Sequence, residues 1–161
     1  LWNIGADLIR YHPYEPLYYN SLVGGLAGAR NTDGFPEATD YWASSYRQGI
    51  AWLSANAPKE ALLYVPIAPW VVTVPAPIWL RADIRVIPKH ELVPMLRSGR
   101  AVYMMFITRR EWYGAVATYS ERELQPVHQV VVDGLPVMKI YRLRLPDQSR
   151  WPWQERGGVG Q

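Results

Sequence analysis

The sequence predicts an α/β fold: a three-layer, mostly parallel, Rossmann-like sheet that ends in an antiparallel hairpin, preceded by an irregular, aromatic-rich N-terminal arm. Three observations predict it. Short apolar runs alternate with helical stretches from Leu62 to Ser120, the order in which crossovers bring parallel strands together. The run Ala101 to Ile107 (AVYMMFI) has no polar break, as expected of a central strand covered on both faces. Asp133-Gly134 separates Val127 to Val132 from Leu135 to Leu143, and Asp-Gly between two strand-like runs is a strong hairpin signal.

Residues 1–43 hold little periodicity and many punctuators, among them His12-Pro13, Glu15-Pro16, Gly24-Gly25, Asp33-Gly34 and Phe35-Pro36. They read as the arm, pinned to the body by Tyr11, Tyr14, Tyr18 and Tyr19. Residues 44–145 read as the α/β body. A helix is predicted from about Ser44 to Asn56, capped by Ser44 or Ser45, because Tyr46, Ile50, Leu53 and Ala57 recur at helical spacing. Pro58 ends it by pushing the preceding residue out of the helical region. Leu62 to Val65, Arg85 to Ile87 and Ala101 to Ile107 read as three strands. Between them fall a helical turn near Ile78 to Leu80 and a short helix from Glu91 to Arg97 closed by Gly99. A third helix is expected over Glu111 to Ser120, with Trp112, Val116 and Tyr119 on one side. The polar, Gly-rich residues 146–161 read as a flexible tail in which Trp151 and Trp153 could dock. All of this makes one domain.

Composition narrows the function. With 161 residues the chain can bury roughly 70% of the surface its unfolded form exposes. Its 49% hydrophobic residues, with 8 Trp and 11 Tyr against 2 Phe, describe a core edged by amphipathic rings. A net charge of +3 is too small for a protein that must neutralise many phosphates, so nucleic acid is not an expected partner. The absence of cysteine removes disulfides, thiolate metal sites and Cys nucleophiles. Ala61 to Leu80 has the length of a membrane span and no charge, but Pro66, Pro69, Pro75 and Pro77 would break such a helix. The start at Leu1, without the features of a signal peptide, reads as an excised piece of something longer.

Most chemical motifs fail on spacing. His12, His90 and His128 lack the separation that sets two imidazoles on one helix face, so no metal site is expected. Asn31, Asp33, Gly34 and Glu37 do not fit a calcium loop, and Gly24-Gly25-x-x-Gly28 lacks both a preceding strand and a following Lys-Ser/Thr, so tight turns or close packing explain it. No strand-to-helix elbow presents a serine nucleophile, and Pro66 to Trp70 after the first strand leaves no room for a dinucleotide loop. No cofactor is predicted. Arg109 and Arg110 fall just past the third strand, where open α/β sheets bind ligands, and are candidates for gripping an anion or acceptor; a solvated pair answering Glu111 is the plainer reading. The Pro/Trp run from Pro66 to Trp79 is too apolar for an ordinary loop. It is either folded under the sheet or offers Trp70 and Trp79 to a membrane or partner.

Four segments, taken as an ordered set, resemble one family. They are His12-Pro13-Tyr14-Glu15 with Tyr18-Tyr19-Asn20; Leu22 to Ala29; Asp40-Tyr41-Trp42 leading to Ser45-Tyr46-Arg47 and Trp52-Leu53; and Asn56-Ala57-Pro58. The set is similar to the region after the last membrane helix in bacterial polyprenyl-phosphate-sugar-dependent glycosyltransferases, relatives of the protein O-mannosyltransferases and the lipid A aminoarabinose transferases. Ala101 to Thr108 and Pro126 to Tyr141 resemble the rest of that extension. The resemblance implies a C-terminal domain, membrane-associated on the extracytoplasmic face, partnered by the membrane-spanning part of its own parent chain and by a glycan or lipid-linked sugar. The family's catalytic carboxylate lies in an early loop absent from this sequence, so no catalytic residue is carried over. Asp40-Tyr41-Trp42 matches a family-like motif of unknown role. A packing role is expected for it, with the acid near a helix N-terminus and Trp42, Tyr46 and Ile50 facing the sheet from one side.

These readings leave three functions: a non-catalytic accessory domain of a membrane glycosyltransferase, an independent α/β enzyme or small-ligand binder using the crevice near Arg109 and Arg110, or an envelope interaction domain docking through the Pro/Trp run.

Overall fold

A computed structural model describes residues 5, 6, 9, 11–19, 22, 24–31 and 38–145. Strands β1 (Leu62–Tyr64), β2 (Arg85–Ile87), β3 (Val102–Ile107), β4 (His128–Val132) and β5 (Leu135–Leu143) form one sheet in the order β2-β1-β3-β5-β4. β1 is parallel to β2 and β3, whereas β5 is antiparallel to β3 and β4. The fold is α/β as the sequence predicts, but the sheet is mixed rather than mostly parallel. The reason is the hairpin: β5 inserts between β3 and β4, so antiparallel pairings equal parallel ones. Asp133 and Gly134 form its turn with φ of 52° and 77°, the left-handed pair that a two-residue hairpin loop needs.

All six side chains of β3 are buried, and successive side chains point to opposite faces, so both faces are covered at the sheet's centre. On one face lies α2 (Tyr46–Asn56), whose Tyr46, Ile50 and Leu53 are buried at the predicted spacing. Gly49 lets α2 approach closely: a Cβ there would meet the Met105 sulfur at 2.3 Å and the Met138 methyl at 2.8 Å. Both methionines are fully buried and have nowhere to retreat. Gly49→Ala should therefore lower stability by about 1 to 2 kcal/mol, the strain of overpacking exceeding the gain in helix propensity. Chemical denaturation will check this, and a stabilised variant would contradict the close packing.

The carboxyl end of α2 is held by Arg81, whose guanidinium donates to the carbonyls of Ser54, Ala57 and Pro58 at 2.8, 2.9 and 2.8 Å. The Ser54 and Ala57 carbonyls are orphan acceptors of the helix terminus, answered by a cation on the favourable side of the helix dipole, and the Pro58 carbonyl follows just beyond it. Asp83 holds Arg81 in place, and the hydrogen bond from Arg81 keeps its carboxyl down at about 2. The stretch from Ala61 to Leu80 folds as β1 and two short helices, α3 (Trp70–Thr73) and α4 (Ala76–Trp79). Among the described residues no helix is long and apolar enough to cross a membrane.

Helix α5 (Leu92–Arg97) buries Leu92 and Leu96. The third predicted helix is divided. Gly114 caps α6 (Ala115–Glu123), and Arg110–Trp112 form a separate 3-10 turn. Trp112 consequently does not share a side with Val116: it is exposed, while Val116, Ala117 and Ser120 face the core. Lys139 and Tyr141 on β5 donate to Glu121 at 2.8 and 3.1 Å and fasten α6 to the sheet.

The arm is less irregular than its punctuators suggest. Helix α1 (Gly25–Asn31) buries Leu26 and Ala29, and Tyr11, Tyr14 and Leu17 join the same core. Asp133 in the hairpin turn anchors it, accepting from the Tyr11 hydroxyl and, at 3.2 Å, from the Leu26 N–H. The Gly24-Gly25 bend, with φ of 79° and 67°, thus cradles an anion of the chain itself. Asp33, Gly34, Glu37 and the expected flexible tail of residues 146–161, with Trp151 and Trp153, lie outside the described residues.

Candidate functional site

In a sheet ordered β2-β1-β3, ligands bind in the crevice beyond the carboxyl ends of the strands, where the direction of winding reverses between β1 and β3. Here that place is filled from within. The Tyr46 hydroxyl donates to the Ile67 carbonyl at 2.7 Å and accepts the Ile107 N–H at 3.3 Å, bridging the segments that leave β1 and β3. Burial pushes the phenol well above the usual tyrosine range; the Ile107 bond opposes the rise, and nearby Asp40 reinforces it.

What remains accessible lies beside this plug. Asp40 is fully buried and accepts the N–H groups of Ser44 at 3.0 Å and Ser45 at 2.6 Å. It fixes the turn that leads into α2; Ser45 stands at the N-cap, but its side chain makes no cap bond, contrary to the cap expected of Ser44 or Ser45. The next residue pair does the opposite of what the spacing predicts. Tyr41 and Trp42 are 60% and 70% exposed, so Trp42 does not face the sheet with Tyr46 and Ile50. The physical reason is Ala43: its φ of 54° turns the chain between Trp42 and Tyr46, so helical spacing does not extend back to Trp42. The two rings meet edge to face at 5.2 Å.

Arg109 joins them. Its guanidinium lies 4.4 Å from the centre of the Tyr41 ring and 3.8 Å from that of Trp112, sandwiched between two π-faces. Its buried Nη1 makes no hydrogen bond among the described residues. The backbone beneath is fixed: Thr108 Oγ1 bonds Thr39 Oγ1 at 3.1 Å and the Pro136 carbonyl at 2.8 Å, tying the Asp40 loop to the end of β3. Arg110 is exposed. Tyr41 and Trp112 therefore enclose one cation, and Trp42, edge-on to Tyr41, extends this exposed group into a platform. Exposed ring faces beside a guanidinium suit a sugar ring or an anionic oxygen; the platform contains no acid-base pair.

Trp70 and Trp79 lie elsewhere, on α3 and α4, at 60% and 48% exposure. Sequence reasoning missed a third place. At the amino end of β3 a cleft of about 220 Å³ is lined by Arg100, Arg142 and Arg144 with Leu96, Leu143 and Leu145. Its arginines come from the segment before β3, from β5 and from just past β5, and were not legible as a group. Among the described residues no cluster of three or more His, Asp or Glu side chains could hold a metal ion.

The fold and platform define an α/β protein with a mixed five-stranded sheet and a ring-and-cation surface at the end of its central strand. Comparison with known protein families, characterised proteins and solved structures finds no match for the chain.

Proposed function

We propose that the chain is a non-catalytic accessory domain of a membrane glycosyltransferase that takes its sugar from a polyprenyl phosphate on the extracytoplasmic face. In this reading the platform of Tyr41, Trp42, Arg109 and Trp112 receives the glycan or lipid-linked sugar, and the membrane-spanning part of the parent chain performs the transfer. One observation carries the proposal: the Asp40-Tyr41-Trp42 motif that resembles the family divides its labour, with the acid buried in the turn that leads into α2, Tyr41 exposed and stacked on Arg109, and Trp42 exposed edge-on to Tyr41. Large exposed rings next to a guanidinium suit an oxygen-rich ligand with apolar C–H faces. We take the layers to be the three-layer, Rossmann-like arrangement, which the complete burial of β3 supports. The rival reading, a small-ligand site in the strand-end crevice, is disfavoured because Tyr46 occupies that position.

The test has two parts. The reading frame upstream of Leu1 should encode about eight or more apolar stretches of membrane length; a frame without them ends the proposal. In the parent enzyme, Arg109→Ala and Trp42→Ala should each reduce transfer in cells at least about tenfold, the effect of losing a contact worth roughly 1.4 kcal/mol. The isolated chain should show no turnover with polyprenyl-phosphate sugars, and reproducible turnover abolished by a single substitution would overturn the accessory role.

A further inference from the structure

The residues from Pro69 to Trp79 form a protruding apolar knob. Val72 is fully buried and anchors it, while Trp70, Val74, Ile78 and Trp79 are 60%, 78%, 81% and 48% exposed. Thr73 is the only polar side chain from Pro66 to Leu80, and no charge occurs from Ala61 to Leu80. Pro69, Pro75 and Pro77 stiffen the backbone, and α3 and α4 close with their own hydrogen bonds, so the knob is held outward rather than awaiting collapse. At its edge the exposed Arg47 places its guanidinium 5.4 Å from the Trp79 ring centre.

We infer that this knob docks the chain onto the interface of an anionic lipid bilayer, with Trp70, Val74, Ile78 and Trp79 entering the headgroup boundary and Arg47 meeting lipid phosphates. Three features select a bilayer over a protein. Aliphatic side chains flanked by tryptophans match the polarity gradient of the interface, where indole rings prefer to lie. Side chains exposed to this degree make a knob, which a fluid surface accepts without a matching socket. The cation at the rim and the net charge of +3 complement anionic headgroups. This inference stands on the knob alone and does not require the glycosyltransferase reading.

The 161-residue chain, mixed with vesicles of phosphatidylcholine and phosphatidylglycerol, should cosediment with them and shift its tryptophan emission to the blue. Val74→Asp with Ile78→Asp should weaken the association at least about tenfold. Arg47→Ala should weaken it about fivefold and reduce its salt dependence. Both variants alter exposed side chains, so their melting temperatures should match the parent's, which separates lost docking from lost folding. Tyr41→Ala with Trp42→Ala should bind vesicles as the parent does. Absence of cosedimentation, or binding that survives Val74→Asp with Ile78→Asp, would overturn the inference. So would concentration-dependent dimerisation abolished by that double variant without vesicle binding, which would assign the knob to a second copy of the chain.

Discussion

Asp40→Ala should lower the melting temperature of the chain by about 5 to 10 °C, while Trp42→Ala, two residues away, should leave it within about 2 °C. The carboxylate of Asp40 is buried and accepts two backbone N–H groups, those of Ser44 and Ser45, in the turn that leads into α2. Removing it orphans both donors, one of them in a fully buried setting, at a cost of about 2 to 3 kcal/mol. In a domain of this size each kcal/mol corresponds to roughly 2 to 4 °C. Trp42 is 70% exposed and its recorded ring contact is with Tyr41, which is itself exposed, so truncation removes little buried surface and should cost no more than about 0.5 kcal/mol. Differential scanning calorimetry of both variants decides the matter. A drop for Trp42→Ala of the size that a buried tryptophan would cause, roughly 3 to 5 kcal/mol, would return the ring to the core and remove the platform.

Alkaline pH should expose the second large effect, centred on Tyr46. Its hydroxyl bridges Ile67 and Ile107, and burial raises its folded-state pKa above the ordinary value near 10. The unfolded chain therefore releases this proton from about pH 10, whereas the folded chain retains it. The stabilisation is complete below pH 10 and is lost as pH rises toward the folded value, by about 1.4 kcal/mol per pH unit from this residue alone. Tyr14, pushed up to about 12 mainly by burial, and Tyr64 and Tyr141, raised for the same first reason, add to the loss. Tyr46→Phe should cost about 1 to 3 kcal/mol at neutral pH by leaving the Ile67 carbonyl unpaired. The same variant should unfold less steeply with pH above 10, by one proton. Equal steepness in parent and variant would mean that Tyr46 is not the plug described.

Most of the secondary structure was legible because it follows from local rules. The unbroken apolar run of β3, the Asp133-Gly134 turn and the recurrence of Tyr46, Ile50 and Leu53 each need only the period of a strand or helix to be read. The misreadings fell where one residue's backbone conformation overrode that period. Gly114 divided a helix and sent Trp112 to the surface, Ala43 turned the chain after Trp42, and Gly24-Gly25 led into α1 instead of a loop.

The candidate site shows the same boundary. Sequence placed Arg109 just past the end of β3 and singled out Asp40-Tyr41-Trp42, because strand ends and short motifs are local features. That these two places meet, some seventy residues apart in the chain, was decided by the fold, through the Thr39–Thr108 hydrogen bond and the stacking of Arg109 on Tyr41. The grouping of Arg100, Arg142 and Arg144 likewise exists only once β5 is paired beside β3. Sequence by itself determined the α/β class, the strands, the cysteine-free chemistry and the charge-free Pro/Trp run. Tertiary structure decided which of those residues face water: exposure depends on what packs opposite a side chain, and partners distant in sequence leave no periodic trace in it.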